Sequence, residues 1–195
     1  ANGTAINGAV GNSFTLTQAQ VGKTITASIA YTDYGGYSNA INTTASTTVV
    51  DVNDAPVAVN SAKTTNEDTA LILLAADFGF SDALDAGGLG SADTLLSVRI
   101  DTLPAPTSGS LSLNGTPVTA GQVIAATALL NNSTGLVFTP VANVNGQTSF
   151  SFSVRDNGGT ANGGVDWSAS TATMALTISA VNDAPVAVAD TIGLS

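Results

Sequence analysis

The residues of this chain best suited to chemistry are carboxylates in loops rich in Asn and Gly. Thirteen of its 14 acidic residues are aspartates, only four basic residues accompany them, and the formal net charge is −10. Carboxylate and amide oxygens are the ligands that hard divalent cations take from proteins. The composition therefore predicts cation binding, with Ca²⁺ preferred over Mg²⁺ because Mg²⁺ demands stricter octahedral geometry.

Several classes of function are excluded by what the sequence lacks. It contains no cysteine and no histidine, so zinc sites built from those residues and Ser-His-Asp or Cys-His catalysis are ruled out. The negative charge repels nucleic acid and anionic membranes, and we expect neither nucleic-acid binding nor membrane insertion. Paired carboxylates can hydrolyse glycosides, but Asp82 and Asp85 lie in a Gly-rich loop with no evident environment that raises a pKa. We therefore predict that the protein is not an enzyme.

An internal repeat sets the domain organisation. Residues 52–59, with the sequence VNDAPVAV, recur unchanged at 181–188, 129 residues later. A period of this length matches a whole domain and not a solenoid unit, which predicts modules in tandem. The predicted divisions are the C-terminal part of one module at 1–51, a linker at 52–56, a complete module at 57–181, and a linker with the start of the next repeat at 182–195.

Alternating apolar and polar residues predict β-strands in the complete module, as around Phe150 to Val154 and Met174 to Ile178. Turn signals such as Asn114-Gly115 separate the strands, while segment 119–132 has room for a short helical turn. We expect further strands at 57–63, 69–75, 95–101, 110–113 and 135–139.

Seven strands at this spacing predict an all-β fold of tandem antiparallel β-sandwiches with Greek-key connections and almost no helix. The predicted core consists of Leu71, Leu73, Val98, Ile100, Phe138, Phe150, Phe152, Val154, Met174, Leu176 and Ile178.

Strand parity predicts where the acidic residues lie. Hairpin-connected strands alternate in direction, so the loops after the second and sixth strands lie at the same end as the entering linker. We call this predicted set the upper group: Asp51, Asn53, Asp54, Asp82, Asp85, Asp93 and Asp156. The same count places a second set at the opposite end, the lower group: Glu67, Asp68, Asn143, Asn145, Asn182 and Asp183.

Turn chemistry is the competing interpretation, because Asp and Asn beside Gly are favoured in turns without any ligand. We prefer that interpretation for Asp33 and Asp166 taken singly. In the upper group, several converging carboxylates repel one another unless a cation lies between them, and Arg155 is the nearest basic residue in sequence. We therefore favour metal ligation for that group, and we expect Trp167 to pack at the end of the sandwich.

Several motifs resemble a known family. VNDAPV at both junctions, Asn66-Glu67-Asp68-Thr69, LSLNGTPVTAGQVI and LVFTPVANVNGQTSFSFSVRDNGGT together resemble the cadherin-like tandem repeats of very large bacterial surface adhesins. The segment INGAVGNSFTLTQAQVGKTITASIAYTDYGG resembles the immunoglobulin-like repeats found alongside them. The resemblance implies an Ig-like module at 1–51, a cadherin-like sandwich at 57–181, calcium at the junctions, and type I secretion as an RTX-type adhesin. Ala180 stands where the first junction has Asp51, which implies fewer or weaker ions at the second.

These observations predict a non-catalytic extender repeat of a secreted bacterial adhesin at the cell surface, acting in adhesion or biofilm formation. Calcium would stiffen the rod, with neighbouring repeats of the same chain as partners and host or matrix glycans or proteins contacted through other domains. Two alternatives stay open at this point. One is a calcium-dependent carbohydrate-binding module that uses Trp167 or the tyrosines at 31, 34 and 37 for stacking, and the other is an S-layer or matrix scaffold.

Overall fold

A computed structural model describes residues 3–85, 93–130 and 135–187. These residues contain no α-helix, and none of their short helical turns is long and apolar enough to cross a membrane. The all-β prediction is confirmed. The strands are β1 (Ser28–Thr32), β2 (Ser38–Asn42), β3 (Val57–Val59), β4 (Ser61–Asn66), β5 (Leu71–Leu73), β6 (Gly79–Ser81), β7 (Leu95–Ile100), β8 (Gly109–Leu113), β9 (Thr116–Pro117), β10 (Gln122–Ala125), β11 (Leu136–Pro140), β12 (Gly146–Asp156) and β13 (Ala172–Ser179).

The chain divides into two compact units, and neither is continuous in sequence. The first comprises Ala1–Val57, Ser81–Leu95 and Arg155–Ala169, and the second comprises the remaining segments. Two loop segments of the predicted complete module thus belong to the first unit. The domain boundaries at 51, 56 and 181 stay predictions.

The second unit is an Ig-like β-sandwich of two sheets. One sheet has the order β10-β7-β12-β13-β4, and the other has the order β5-β11-β8-β9. β4 runs parallel to β13, whereas β12 and β13 are antiparallel. The parallel pair agrees with the count of strand directions, which gives the first and last strands of the module the same direction.

The core follows from the alternation along these strands. In β13 every second residue from Ala172 to Ile178 is buried, and the residues between them are exposed. Phe78 packs edge-on against Phe152, with ring centroids 5.1 Å apart. All the predicted core residues are buried except Leu71, which is only partly buried at the start of the edge strand β5.

The predicted strands coincide with observed strands, but the prediction missed one interruption and three short strands. The predicted strand 57–63 is interrupted at Asn60, whose side-chain oxygen accepts a hydrogen bond from the Thr173 amide. The strands β6, β9 and β10 were not predicted. Segment 119–132 contains β10, and its short helical turn is confined to Ala126–Leu129. Residues 131 and 132 lie outside the described residues.

The N-terminal part of the first unit contains an exposed β-hairpin. β1 and β2 pair in register with Ile29 opposite Ile41, and every residue of both strands is exposed. The Asp33 carboxylate accepts hydrogen bonds from the amides of Gly35 and Tyr37, and the Tyr37 bond in particular lowers its pKa. The turn interpretation of Asp33 is confirmed.

Replacement of Phe152 by Ala tests the core. Phe152 is fully buried, and we expect its truncation to lower the free energy of unfolding by about 3–5 kcal/mol. Urea denaturation measures this loss. Thr173→Val on the exposed face of β13 is the matched control, and it should stay within about 0.5 kcal/mol of wild type. If Phe152→Ala lowered the free energy of unfolding no more than the control does, the face of β12 that carries Phe152 would not be the buried one.

Candidate metal centre

Three separate segments of the first unit bring the upper group together. They are residues 51–56, which extend the predicted linker by Asp51 and are called the linker below, the loop after β6, and the end of β12. Asp82, Asp85 and Asp93 each place a carboxylate oxygen within 4.8 Å of the other two. Asp156 is the last residue of β12, and its charge together with that of Asp85 acts on Asp82. The side chains that strand parity placed at one end of the module therefore do lie close together.

Hydrogen bonds connect the linker to both loops. The Asn53 side-chain amide donates to Asp156 Oδ1 at 3.1 Å and to the Val165 carbonyl at 2.8 Å, and the Asn53 carbonyl accepts from the Val165 amide at 2.9 Å. The Asp54 amide donates to Asp85 Oδ2 at 3.0 Å. Residues 51–56 have no strand or helix of their own, and Pro56 favours an extended Ala55. The linker backbone is therefore free to bond the loops.

A glycine makes the close approach of two segments possible. A Cβ atom on Gly158 would collide with Asn53 Oδ1 and Asp93 Oδ2. The Gly158 amide also donates to Asp156 Oδ1 at 3.0 Å, which fixes that carboxylate. The absence of a side chain at Gly158 therefore leaves room for Asn53 and Asp93 beside this segment.

The clearest feature of the upper group is a set of buried oxygens without hydrogen-bond partners. Seven buried side-chain polar atoms in the described residues lack a partner, and one of them is Ser97 Oγ. The other six are all acceptor oxygens of the upper group: Asp51 Oδ1, Asn53 Oδ1, Asp82 Oδ1, Asp82 Oδ2, Asp85 Oδ1 and Asp156 Oδ2. Buried polar atoms are almost always hydrogen-bonded, so six orphaned acceptors in one place require an explanation.

No basic side chain neutralises these carboxylates. Lys23 donates to the Ala19 carbonyl, Lys63 pairs with Asp77, and Arg99 pairs with Asp101. Arg155, the nearest basic residue in sequence, donates from Nε and Nη2 to Asp166 Oδ2 at 2.8 and 2.7 Å. All four basic residues of the chain thus bond elsewhere. The carboxylates of Asp82, Asp85 and Asp93 lie close together, the charge of Asp156 acts on Asp82, and the charge of Asp51 acts on Asp85.

Burial and mutual repulsion raise the pKa values of this group. Burial, followed by the charges of Asp85 and Asp156, raises the pKa of Asp82 to about 6. Burial also raises the pKa values of Asp85 and Asp156. The expectation that this loop has no environment able to raise a pKa was wrong, because burial and the charges of Asp85, Asp156 and Asp93 raise the pKa of Asp82.

The lower group is not assembled in the same way. Glu67 is buried and accepts a hydrogen bond from the Val181 amide at 2.7 Å, and Asp68 Oδ1 accepts from the Asn143 amide at 3.1 Å. Asn182 and Asp183 are exposed, as is Asn145. Among the described residues, the group of three carboxylates close enough to share an ion is Asp82, Asp85 and Asp93 of the upper group. Metal binding by Glu67, Asp68, Asn182 and Asp183 stays a prediction.

Three residues near the upper group have structural roles. Asp166 is buried and neutralised by Arg155, and its carbonyl accepts from the Asp156 amide at 3.0 Å. Trp167 is partly buried, with the Arg155 guanidinium 5.9 Å above its ring. Gln18, which no sequence pattern singled out, donates from Nε2 to Asp51 Oδ2 at 3.1 Å.

The fold and the loop cluster together define an Ig-like β-sandwich domain with an acidic centre in its loops. Residues 53–168 match the family described as bacterial Ig domain. This match spans more than half of the sequence, and the chain belongs to that family. No curated protein and no solved structure matches significantly. Domains of this family are generally non-catalytic and commonly occur in extracellular surface proteins.

Acidification should stabilise the protein when divalent cations are removed. The pKa of Asp82 is about 6 in the folded state, against an ordinary value of 3.8. The folded state therefore binds this proton more tightly than the unfolded state. Ionised Asp82 lowers stability above pH 6, and this loss disappears as the pH falls from the folded pKa towards the unfolded one.

Thermal unfolding in a chelator measures the effect, and we expect a higher melting temperature at about pH 5 than at about pH 7.5. Asp82→Asn serves as the comparison, because it should remove much of the gain. A chelated wild-type protein that melts at the same or a lower temperature at the acidic pH would contradict the buried, uncompensated state of Asp82.

Gly158→Ala should destabilise the protein by overpacking, by about 1–3 kcal/mol in urea denaturation. Gly3→Ala is the control, because a Cβ there meets no atom within 4 Å and neither glycine has a positive φ. Equal stabilities for the two variants would show that Asn53 and Asp93 move aside without cost.

Proposed function

We propose that this chain is a non-catalytic extender segment of a secreted bacterial surface adhesin and that Ca²⁺ binds to the upper group. The observation that carries the proposal is the set of six buried acceptor oxygens without partners. A cation among them would satisfy the acceptors and also offset the repulsion between the carboxylates. Turn chemistry accounts for neither feature.

The donor set suits calcium. Ca²⁺ takes about six to eight oxygen ligands in flexible geometry. The six orphaned oxygens, with the carboxylate of Asp93 beside Asp82 and Asp85, supply that number from three chain segments. Mg²⁺ is the second candidate, because it requires near-ideal octahedral geometry and retains several waters. Asp54 contributes its backbone amide to Asp85, and its own side chain is exposed.

The proposed role of the ion is mechanical. Asp51 and Asn53 belong to the linker, whereas Asp82, Asp85, Asp93 and Asp156 belong to the two loops. An ion held by all three segments would fix the linker against the loops and restrict its bending. In a protein built of such repeats, each fixed linker lengthens a stiff rod. The resemblance to cadherin-like repeats of RTX-type adhesins supports type I secretion and a role in adhesion or biofilm formation.

Calcium titration with a charge-matched pair of variants tests the proposal. Asp85 is buried, with 2% of its surface exposed, and Asp85→Asn removes one charge from the upper group. Asp33→Asn removes one charge from an exposed turn outside that group. We expect calorimetry to show calcium binding by wild type and Asp33→Asn, and much weaker binding by Asp85→Asn.

Two further readouts test the mechanical role. Binding to the folded state alone stabilises it by about 2.7 kcal/mol at a hundredfold excess of Ca²⁺ over Kd, so the melting temperature should rise with Ca²⁺ concentration. Small-angle scattering should show a longer maximum dimension with Ca²⁺ than with chelator. No binding heat and identical dimensions in both conditions would reject the proposal. Glycan binding that requires Ca²⁺ and is lost in Asp85→Asn would favour the carbohydrate-binding alternative, and calcium-driven self-assembly would favour a scaffold.

A further inference from the structure

Asp51 connects the upper group to the N-terminal part of the first unit. Its Oδ2 atom accepts the hydrogen bond from Gln18 Nε2 at 3.1 Å, across 33 positions of sequence. Its Oδ1 atom is buried without a partner, and its charge contributes to the raised pKa of Asp85. One oxygen of this carboxylate thus contacts Gln18, and the other is left for the acidic centre.

Gln18 sits on an element that holds its position. It begins the short helical turn Gln18–Gln20. The side-chain oxygen of Gln20, a largely buried residue, accepts hydrogen bonds from the amide and hydroxyl of Thr17 at 2.9 and 3.0 Å. The backbone beyond this turn pairs with the residues just before Asp51: the Gly22 amide donates to the Val49 carbonyl, and the Val49 amide donates to the Lys23 carbonyl, both at 2.8 Å. Both ends of the Gln18–Asp51 bond are therefore anchored.

We propose that Gln18 is a positioning residue that orients Asp51 for the cation and couples ion binding to the N-terminal part of the first unit. This inference rests on the proposed calcium site. A neutral amide suits the role, because it fixes Oδ2 without adding charge. A lysine at this position would repel the cation, and a glutamate would repel Asp51. The coupling is specific to the first junction, because Ala180 at the second has no carboxylate to orient.

Coupling must be reciprocal. If the Gln18 bond strengthens calcium binding by some factor, calcium strengthens the Gln18 bond by the same factor. Calcium should therefore protect the backbone amides of the Gln18–Gln20 turn and of the adjoining Gly22–Val49 pairing from hydrogen exchange, although none of these residues offers a ligand.

A double-mutant cycle tests the proposal in the 195-residue chain. Gln18→Met keeps the size of the side chain and removes the donor, Asp51→Asn changes the acceptor, and the double variant combines them. Gln147→Met, on the exposed surface of β12, is the matched control. We expect Gln18→Met to weaken calcium affinity about three- to tenfold, the effect of losing the net contribution of one ordinary hydrogen bond, and Gln147→Met to leave it unchanged.

The decisive comparison is made in the Asp51→Asn background, where Gln18→Met should weaken calcium affinity by less than it does in wild type, because residues acting through one contact are not additive. Calcium should also lose its protection of the 18–23 amides in Gln18→Met. Fully additive effects, or unchanged protection, would overturn the role of Gln18 while leaving the calcium site intact. Absence of calcium binding by wild type would instead reject the proposed function itself.

Discussion

Repulsion among buried carboxylates is the constraint on which the first unit depends. Five aspartates lie within one loop cluster, their oxygens are largely unpartnered, and the four basic side chains bond elsewhere. Such a group costs free energy in a cation-free protein, and the raised pKa values of Asp82, Asp85 and Asp156 are a direct sign of that cost. The cation proposed above would offset this charge.

The sandwich makes this arrangement possible by fixing where its loops begin. β6 ends just before Asp82, and β12 ends at Asp156, so regular strand pairing sets the starting points of both acidic loops. The linker then completes the group through Asn53 and Asp54, whose hydrogen bonds to Asp156 and Asp85 do not depend on an ion. The centre is therefore partly pre-organised, and a cation would have less loop entropy to overcome on binding.

Much of this could be predicted from the sequence, because period-2 alternation and strand parity are strong signals. Phe150, Phe152 and Val154 revealed a buried face, and the position of Asp82 and Asp156 after alternate strands revealed that they share an end. Other features leave no local signal. Leu71 follows the apolar alternation of the core residues but is only partly buried, on an edge strand. The role of Gln18 depends on a contact 33 positions away. The raised pKa of Asp82 comes from burial by distant segments, which composition cannot reveal.

The two identical copies of VNDAPVAV have different surroundings. The first copy is held through Asn53 and Asp54, whereas Asn182 and Asp183 of the second are exposed. The contacts of the first copy are made to Asp85, Asp156 and Val165, which lie 31 to 112 positions further along the chain. Because distant loops supply these contacts, the octapeptide alone does not determine how a junction is held. A module joined through it must also present matching acceptors in its own loops, so the linker and the loops that bind it have to change together.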